Sequence, residues 1–150
     1  MTRHNRGFTL IELIVVILIL GILAAVAAPR FVNLTTQARI AALNGLRAAV
    51  MSAATLANGL QVAQGLAQGS SVTIEGLTVG MTNGYPTGAT GGIDNAIRVD
   101  AGTYATSQAS PTYTFQIAGA PTPATCQFQY THPAAAGGVP TINPPLTAGC

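Results

Sequence analysis

The sequence has 150 residues, of which 49% are hydrophobic and only 7% are charged. A typical soluble domain has about 25% charged residues, so uncharged polar and small residues must cover most of this surface. The formal net charge of +2 is too small to predict nucleic-acid binding, and no nucleic-acid partner is expected.

The N-terminus combines a short basic segment with a long apolar one. Residues 1–7, MTRHNRG, carry Arg3 and Arg6, whereas residues 8–28 contain a single charged residue, Glu12. A helix over residues 8–28 would be about 32 Å long, close to the hydrocarbon core of a membrane. Because the arginines precede the apolar run, we expect them to stay in the cytoplasm while the C-terminal part lies outside.

Two interpretations of the apolar run remain open. One is a cleavable secretory signal, because residues 25–27, AVA, offer a suitable small-residue cleavage site. The other is a retained membrane helix. Retention is favoured because the run exceeds the roughly 7–15 residues of a signal core, contains Glu12, and is followed by further helical patterning.

Glu12 is the most informative residue of this segment. A carboxylate inside a membrane costs several kcal/mol unless it finds a partner or reaches toward the headgroups. Cleavage between Gly7 and Phe8 would create an amine four residues before Glu12, on nearly the same face of one helix. Pairing between two staggered helices is the alternative, and it would fix the axial register of neighbouring subunits.

Residues 7–12, GFTLIE, followed by an aliphatic run, resemble the leader and cleavage signal of type IV prepilins and pseudopilins. The resemblance implies that a prepilin peptidase cuts after Gly7 and N-methylates Phe8, and that Glu12 recruits subunits into a filament. It also implies an α+β pilin fold, in which a long N-terminal helix packs on a small antiparallel sheet with a disulfide-closed C-terminal loop.

Residues 29–66 are predicted to continue the helix as an amphipathic segment. Apolar residues recur at three- and four-residue steps, at Leu43, Leu46, Val50, Ala54, Ala57 and Leu60. Gly21 and Pro29 are the predicted helix breaks. The resemblance implies local unwinding between them on filament packing, and a simple kink at the membrane surface is the alternative.

A second resemblance is narrower. Residues 29–34, PRFVNL, with Ala38 and Arg39, are similar to the mannose-sensitive haemagglutinin (MSHA) class of type IV pilins.

Residues 67–150 are predicted to form a β-rich head. Strands are expected at Val72–Ile74, Leu77–Val79, Tyr113–Ile117 and Cys126–Thr131, with the last two adjacent and antiparallel. Residues 84–88 are predicted to be a turn, and Thr141–Ile142 an edge strand in an otherwise irregular tail. We also expect Asp94 to cap a short helix at 95–99, and His132 to be a solvated residue at a strand end.

Cys126 and Cys150 are the only cysteines, and their spacing matches neither a zinc ribbon nor a redox motif. A disulfide between them is expected if the domain leaves the cytoplasm, whereas a cytosolic protein would keep two thiols. The closed loop would contribute about 3.5 kcal/mol of stability.

No catalytic constellation is found, so the chain is not expected to be an enzyme or to need a cofactor or metal. Asp94 and Asp100 could supply oxygen ligands to a calcium ion, but a helix cap at Asp94 is the preferred interpretation.

The expected role is a pilus subunit that forms a homopolymer for attachment or motility. The prepilin peptidase, the inner-membrane assembly platform and, before assembly, membrane lipid are its expected partners. The precursor is expected in the inner membrane and the mature subunit in an extracellular pilus. A type II secretion pseudopilin and an exported monomeric binding domain are the alternatives.

Overall fold

The computed structural model describes residues 8–150, apart from the side chains of residues 29 and 31–33. Gly7, one of the predicted cleavage residues, lies outside the described part. The chain divides into two compact units between Gln37 and Ala38. The N-terminal unit is helical, and the C-terminal unit contains all of the β-structure.

Helix α1 runs from Leu10 to Ala63. It ends in a Schellman motif, because Gly65 has a φ of +63° and the amides of Gly65 and Leu66 donate to the carbonyls of Val62 and Gln61. Glycine adopts this left-handed conformation without steric cost, which explains the position of the helix end.

Two short hairpins follow α1. Strands β1 (Val72–Ile74) and β2 (Leu77–Val79) are joined by two residues, Glu75 and Gly76, which both have positive φ. Strands β3 (Met81–Thr82) and β4 (Tyr85–Pro86) are joined in the same way by residues 83–84, Asn-Gly. Positive φ at both positions is typical of the type I′ turn that suits a two-residue hairpin.

A four-stranded antiparallel sheet completes the C-terminal unit. Its order is β5 (Tyr104–Ala109), β6 (Thr112–Ile117), β7 (Gln127–Thr131) and β8 (Thr141–Ile142). A one-turn helix, α2 (Ile93–Ala96), precedes the sheet along the chain.

One face of this sheet packs on the C-terminal half of α1. The buried residues are Tyr113, Phe115, Ile117, Phe128 and Tyr130 from the sheet, and Leu43, Leu46, Val50 and Ala54 from the helix. The rings of Phe115 and Phe128 stack with centroids 5.0 Å apart. This apolar interface forms the main core and fixes the sheet on the helix.

The opposite face of the sheet carries only small and uncharged polar side chains. Thr112 and Thr131 face each other across β6 and β7 with hydroxyl oxygens 3.0 Å apart, and Gln116 donates to Gln127 at 2.7 Å. The remaining residues of this face are Ala105, Ser107, Ala109, Thr114, Gln129 and Thr141.

The predicted α+β architecture is confirmed, including the pairing of the two longest predicted strands and the edge position of β8. Strands β3, β4 and β5 were not predicted, and residues 84–88 are not a simple turn because β4 lies within them. The predicted helix at 95–99 is wrong. Helix α2 starts at Ile93 after Gly92, so Asp94 lies in its first turn instead of capping it.

Candidate functional site

The first turn of α1 places Thr9 and Glu12 in reciprocal hydrogen bonds. The Glu12 carboxylate accepts the Thr9 backbone N–H at 3.0 Å and the Thr9 hydroxyl at 2.8 Å. The Glu12 N–H in turn donates to the Thr9 hydroxyl oxygen at 3.3 Å. This is a capping box, which satisfies amides that a helix start would otherwise leave without partners. The Thr-x-x-Glu spacing at residues 9–12 is the sequence pattern of a capping box, so this feature could have been predicted from the sequence.

The surface around Glu12 is apolar. A shallow groove at the helix start is lined by Glu12 with Phe8, Ile11, Val15 and Val16. The carboxylate is therefore the single charged group on this part of the helix. Within residues 8–150, its hydrogen-bond partners are the backbone N–H and the hydroxyl of Thr9, one turn away.

The rest of the N-terminal unit exposes its aliphatic side chains. The large hydrophobic residues between Phe8 and Val26 are 43–92% exposed. Residues Leu10–Ala28 are long and apolar enough to cross a membrane, with a mean hydropathy of 3.1. Residues Leu34–Ala63 are also long and apolar enough to cross a membrane, with a mean hydropathy of 1.4. However, this stretch supplies the helix side of the main core.

Helix α1 continues through both predicted break positions, Gly21 and Pro29. A side chain added at Gly21 would meet no atom within 4 Å. Local unwinding between the two residues was expected on packing against other copies, and it stays a prediction.

The C-terminal loop is closed by the predicted disulfide between Cys126 and Cys150, which is confirmed. Both cysteines are buried in the main core. The bond ties residue 150 to the residue immediately before β7.

Two arginines of α1 hold the same loop. Arg39 donates to the carbonyl oxygens of Cys150 and Gly119, both at 2.7 Å. Arg47 donates to those of Asn143 at 3.0 Å and Ile142 at 3.1 Å. The partners of these two arginines cannot be predicted from the sequence, because every residue has a backbone carbonyl and the acceptors therefore have no sequence signature.

The family comparison matches the N-terminal segment. Residues 2–28 match the model described as the prokaryotic N-terminal methylation motif. The type IV narrow pilus major component PilA5 of Thermus thermophilus is 58% identical over 52 residues, which are 35% of this chain and 45% of that protein. The N-terminal third of the chain is therefore similar to that of a type IV pilin.

Other relatives also match over short segments. The type IV major pilin protein PilA of Myxococcus xanthus is 54% identical over 36 residues, which are 24% of this chain and 16% of that protein. The type II secretion system core protein G of Pseudomonas aeruginosa is 46% identical over 43 residues, or 29% and 30% of the two chains. The chain spans less than half the length of these curated relatives, and no solved structure matches it.

Proposed function

We propose that this chain is the precursor of a type IV pilus subunit that polymerises through the N-terminal part of α1. The observation that supports this most strongly is the position of Glu12, a carboxylate at the start of an exposed apolar helix inside the matched methylation motif. Exposed apolar surface of this extent needs a cover, which lipid provides before assembly and neighbouring helices provide in the filament.

Processing creates the partner for Glu12. Cleavage after Gly7 by a prepilin peptidase leaves the amine of Phe8, which stays cationic after a single N-methylation. In the isolated helix the carboxylate is held by Thr9. We propose that in the filament it pairs with the amine of a neighbouring subunit, because a charge surrounded by apolar helices needs an opposite charge. The pair would set the axial register between subunits.

The wider setting follows from the same proposal. The precursor resides in the inner membrane, the assembly platform adds it to the filament, and the mature subunit forms part of an extracellular homopolymer. The role is structural, with no enzymatic activity and no cofactor.

Surface attachment is the specific task that we propose. Residues 29–34, PRFVNL, are similar to MSHA-class pilins. A type II secretion pseudopilin is the second candidate, and the match to a type II secretion core protein over 43 residues favours it. Deleting the gene would distinguish them: a loss of surface attachment with normal secretion supports the pilus, and the reverse supports the pseudopilin.

The charge pair is tested with Glu12→Gln, which keeps the size of the side chain and removes its charge. We expect this variant to be inserted, cleaved after Gly7 and methylated at Phe8 by mass spectrometry, yet to yield at least about tenfold fewer filaments by electron microscopy. Glu75→Gln is the matched control, because Glu75 lies in a hairpin turn of the head and is 72% exposed.

Two results would contradict the proposal. Normal filaments from Glu12→Gln would show that the charge pair is unnecessary. A mature chain that begins near Ala28 would show that the apolar helix is a discarded secretion signal.

A further inference from the structure

His132 follows β7 directly and is half-buried, although the sequence analysis expected it to be solvated. Its Nδ1 atom accepts the backbone N–H of Gly88 at 2.9 Å. Its own backbone N–H donates to the carbonyl of Pro111 at 3.3 Å. The imidazole therefore connects the end of the sheet to the segment between β4 and α2, which we call the 87–92 loop.

The 87–92 loop packs tightly on the turn between β5 and β6. A Cβ atom at Gly88 would lie only 2.1 Å from the carbonyl oxygen of Pro111. The backbones of the two segments are therefore too close for any side chain at position 88. The amide of Thr90 donates to the side chain of Gln108 on β5. Just before the loop, the Tyr130 hydroxyl donates to the Pro86 carbonyl at 2.7 Å. These bonds join the loop to the sheet. Backbone bonds from Thr87 to Gly80 at 2.8 Å and from Gly80 to Gly91 at 2.7 Å join it to the chain between β2 and β3.

Among these bonds, the one to His132 depends on protonation. Nδ1 can accept a hydrogen bond only while the ring is neutral with its proton on Nε2. In the imidazolium both nitrogens donate, so an N–H would face the N–H of Gly88. The Tyr130 bond does not change in acid, because a phenol keeps its proton throughout that range.

The charged and titratable groups on the elements packed near His132 are few. They are Tyr85 on β4, Asp94 on α2, Tyr104 on β5, Tyr113 on β6 and Tyr130 on β7, together with Arg39 and Arg47 on α1, which donate to the carbonyls of Cys150 and Asn143. The phenols carry no charge in the acid range. One Asp94 oxygen accepts the Gly91 N–H at 3.1 Å. Within residues 8–150 the ion pair that the structure contains joins Arg98 to Glu75, so no acid pairs with His132.

We infer that His132 is a proton-sensitive latch that fastens the 87–92 loop to the sheet at neutral pH and releases Gly88 in mild acid. The sequence has two histidines, and the other one, His4, belongs to the proposed leader. The head of the mature subunit would then have a single imidazole and one pH-dependent loop. This inference goes beyond the proposed function and does not depend on filament formation.

The latch is tested on the full chain in detergent micelles by hydrogen exchange resolved by NMR. We expect the protection factor of the Gly88 amide, corrected for intrinsic exchange, to fall about tenfold between pH 7.5 and pH 5. Amides of β6 serve as the internal reference, because both of their neighbouring strands remain in place.

Two variants separate the latch from its surroundings. In His132→Asn the amide oxygen stands near the position of Nδ1 and accepts at every pH, so the pH response of Gly88 should disappear. Asp94→Asn removes the carboxylate nearest to the loop along the chain, and the response should persist.

A second measurement needs no substitution. The ¹⁵N chemical shifts of the His132 ring in the wild type should show Nδ1 without a proton at pH 7.5. The inference is overturned if Nδ1 carries a proton at that pH, if Gly88 is equally protected at both pH values, or if His132→Asn keeps the wild-type response.

Discussion

Arg39 and Arg47 show how single side chains organise the head. Each guanidinium donates to two main-chain carbonyls of the C-terminal region without an acidic partner. A planar fork with several donors suits such a task, because it can join two separate carbonyls at once. These contacts connect α1 to Gly119, which precedes the disulfide-closed loop, and to residues 142, 143 and 150 of the loop itself.

Arg39→Ala should destabilise the head. The change removes two charged donors at 2.7 Å and leaves the carbonyls of Gly119 and Cys150 without them, so we expect a loss of about 2 kcal/mol in the free energy of unfolding. Urea unfolding of a fragment with residues 29–150 measures this. Arg98→Ala is the control, because its ion pair with Glu75 is exposed and should contribute little. Equal stabilities of the two variants would contradict the assigned role of Arg39.

At this scale the sequence predicts some residues and not others. Cys126 and Cys150 could be paired because two thiols in an exported head have few alternatives, and the disulfide is confirmed. The partners of Arg39 and His132 could not be predicted. Arg39 donates to the carbonyl of Cys150, and His132 accepts the backbone N–H of Gly88. Both partners are backbone groups far away along the chain, and every residue except proline has the same backbone groups.

The elements differ in how clearly the sequence encodes them. Strand β6 alternates buried and half-buried residues, and this period of two predicts it well. Strand β5, with the sequence YATSQA, has no buried residue. It is a strand because its backbone pairs with β6 over six residues, and its own side chains do not signal this. The sequence therefore predicts the central strands β6 and β7, but it misses the edge strand β5, whose pairing is made by backbone groups.

The disulfide-closed loop is an element whose energy can be tested. Cys126 and Cys150 are 24 residues apart, and their cross-link restricts the unfolded chain, so we expect Cys150→Ser to lose about 3.5 kcal/mol. Thermal unfolding of the same fragment checks this. Adding a reductant should destabilise the wild type and leave Cys150→Ser unchanged. A melting temperature that is the same for both proteins under oxidising conditions would argue against this contribution.

On the scale of the whole molecule, the C-terminal unit has a buried core, whereas the large apolar side chains described between Phe8 and Val26 of the N-terminal unit are exposed. Hydropathy predicts the apolar segment. Hydrophobic residues make up 49% of the whole chain, and residues Leu10–Ala28 reach a mean hydropathy of 3.1. How copies of the segment pack together cannot be derived from one sequence, because the contacts depend on the positions of other chains. The hydrogen bonds between Thr9 and Glu12 form within a single helix and involve no other chain.

Removing the apolar segment should separate folding from assembly. A chain of residues 29–150 keeps the buried core of the C-terminal unit and loses the exposed aliphatic surface. We therefore expect it to be monomeric without detergent in size-exclusion chromatography, whereas residues 8–150 require detergent or form large assemblies. Filaments of the shorter chain, seen by electron microscopy, would show that assembly does not need the N-terminal segment.

The solvent face of the four-stranded sheet has one further consequence. Its paired threonine hydroxyls and glutamine amides carry no net charge. Mobile ions screen interactions between charges over about 10 Å at 0.1 M salt, but they leave contacts between neutral dipoles almost unchanged. Any contact made through this face should therefore keep its strength from dilute buffer to concentrated brine.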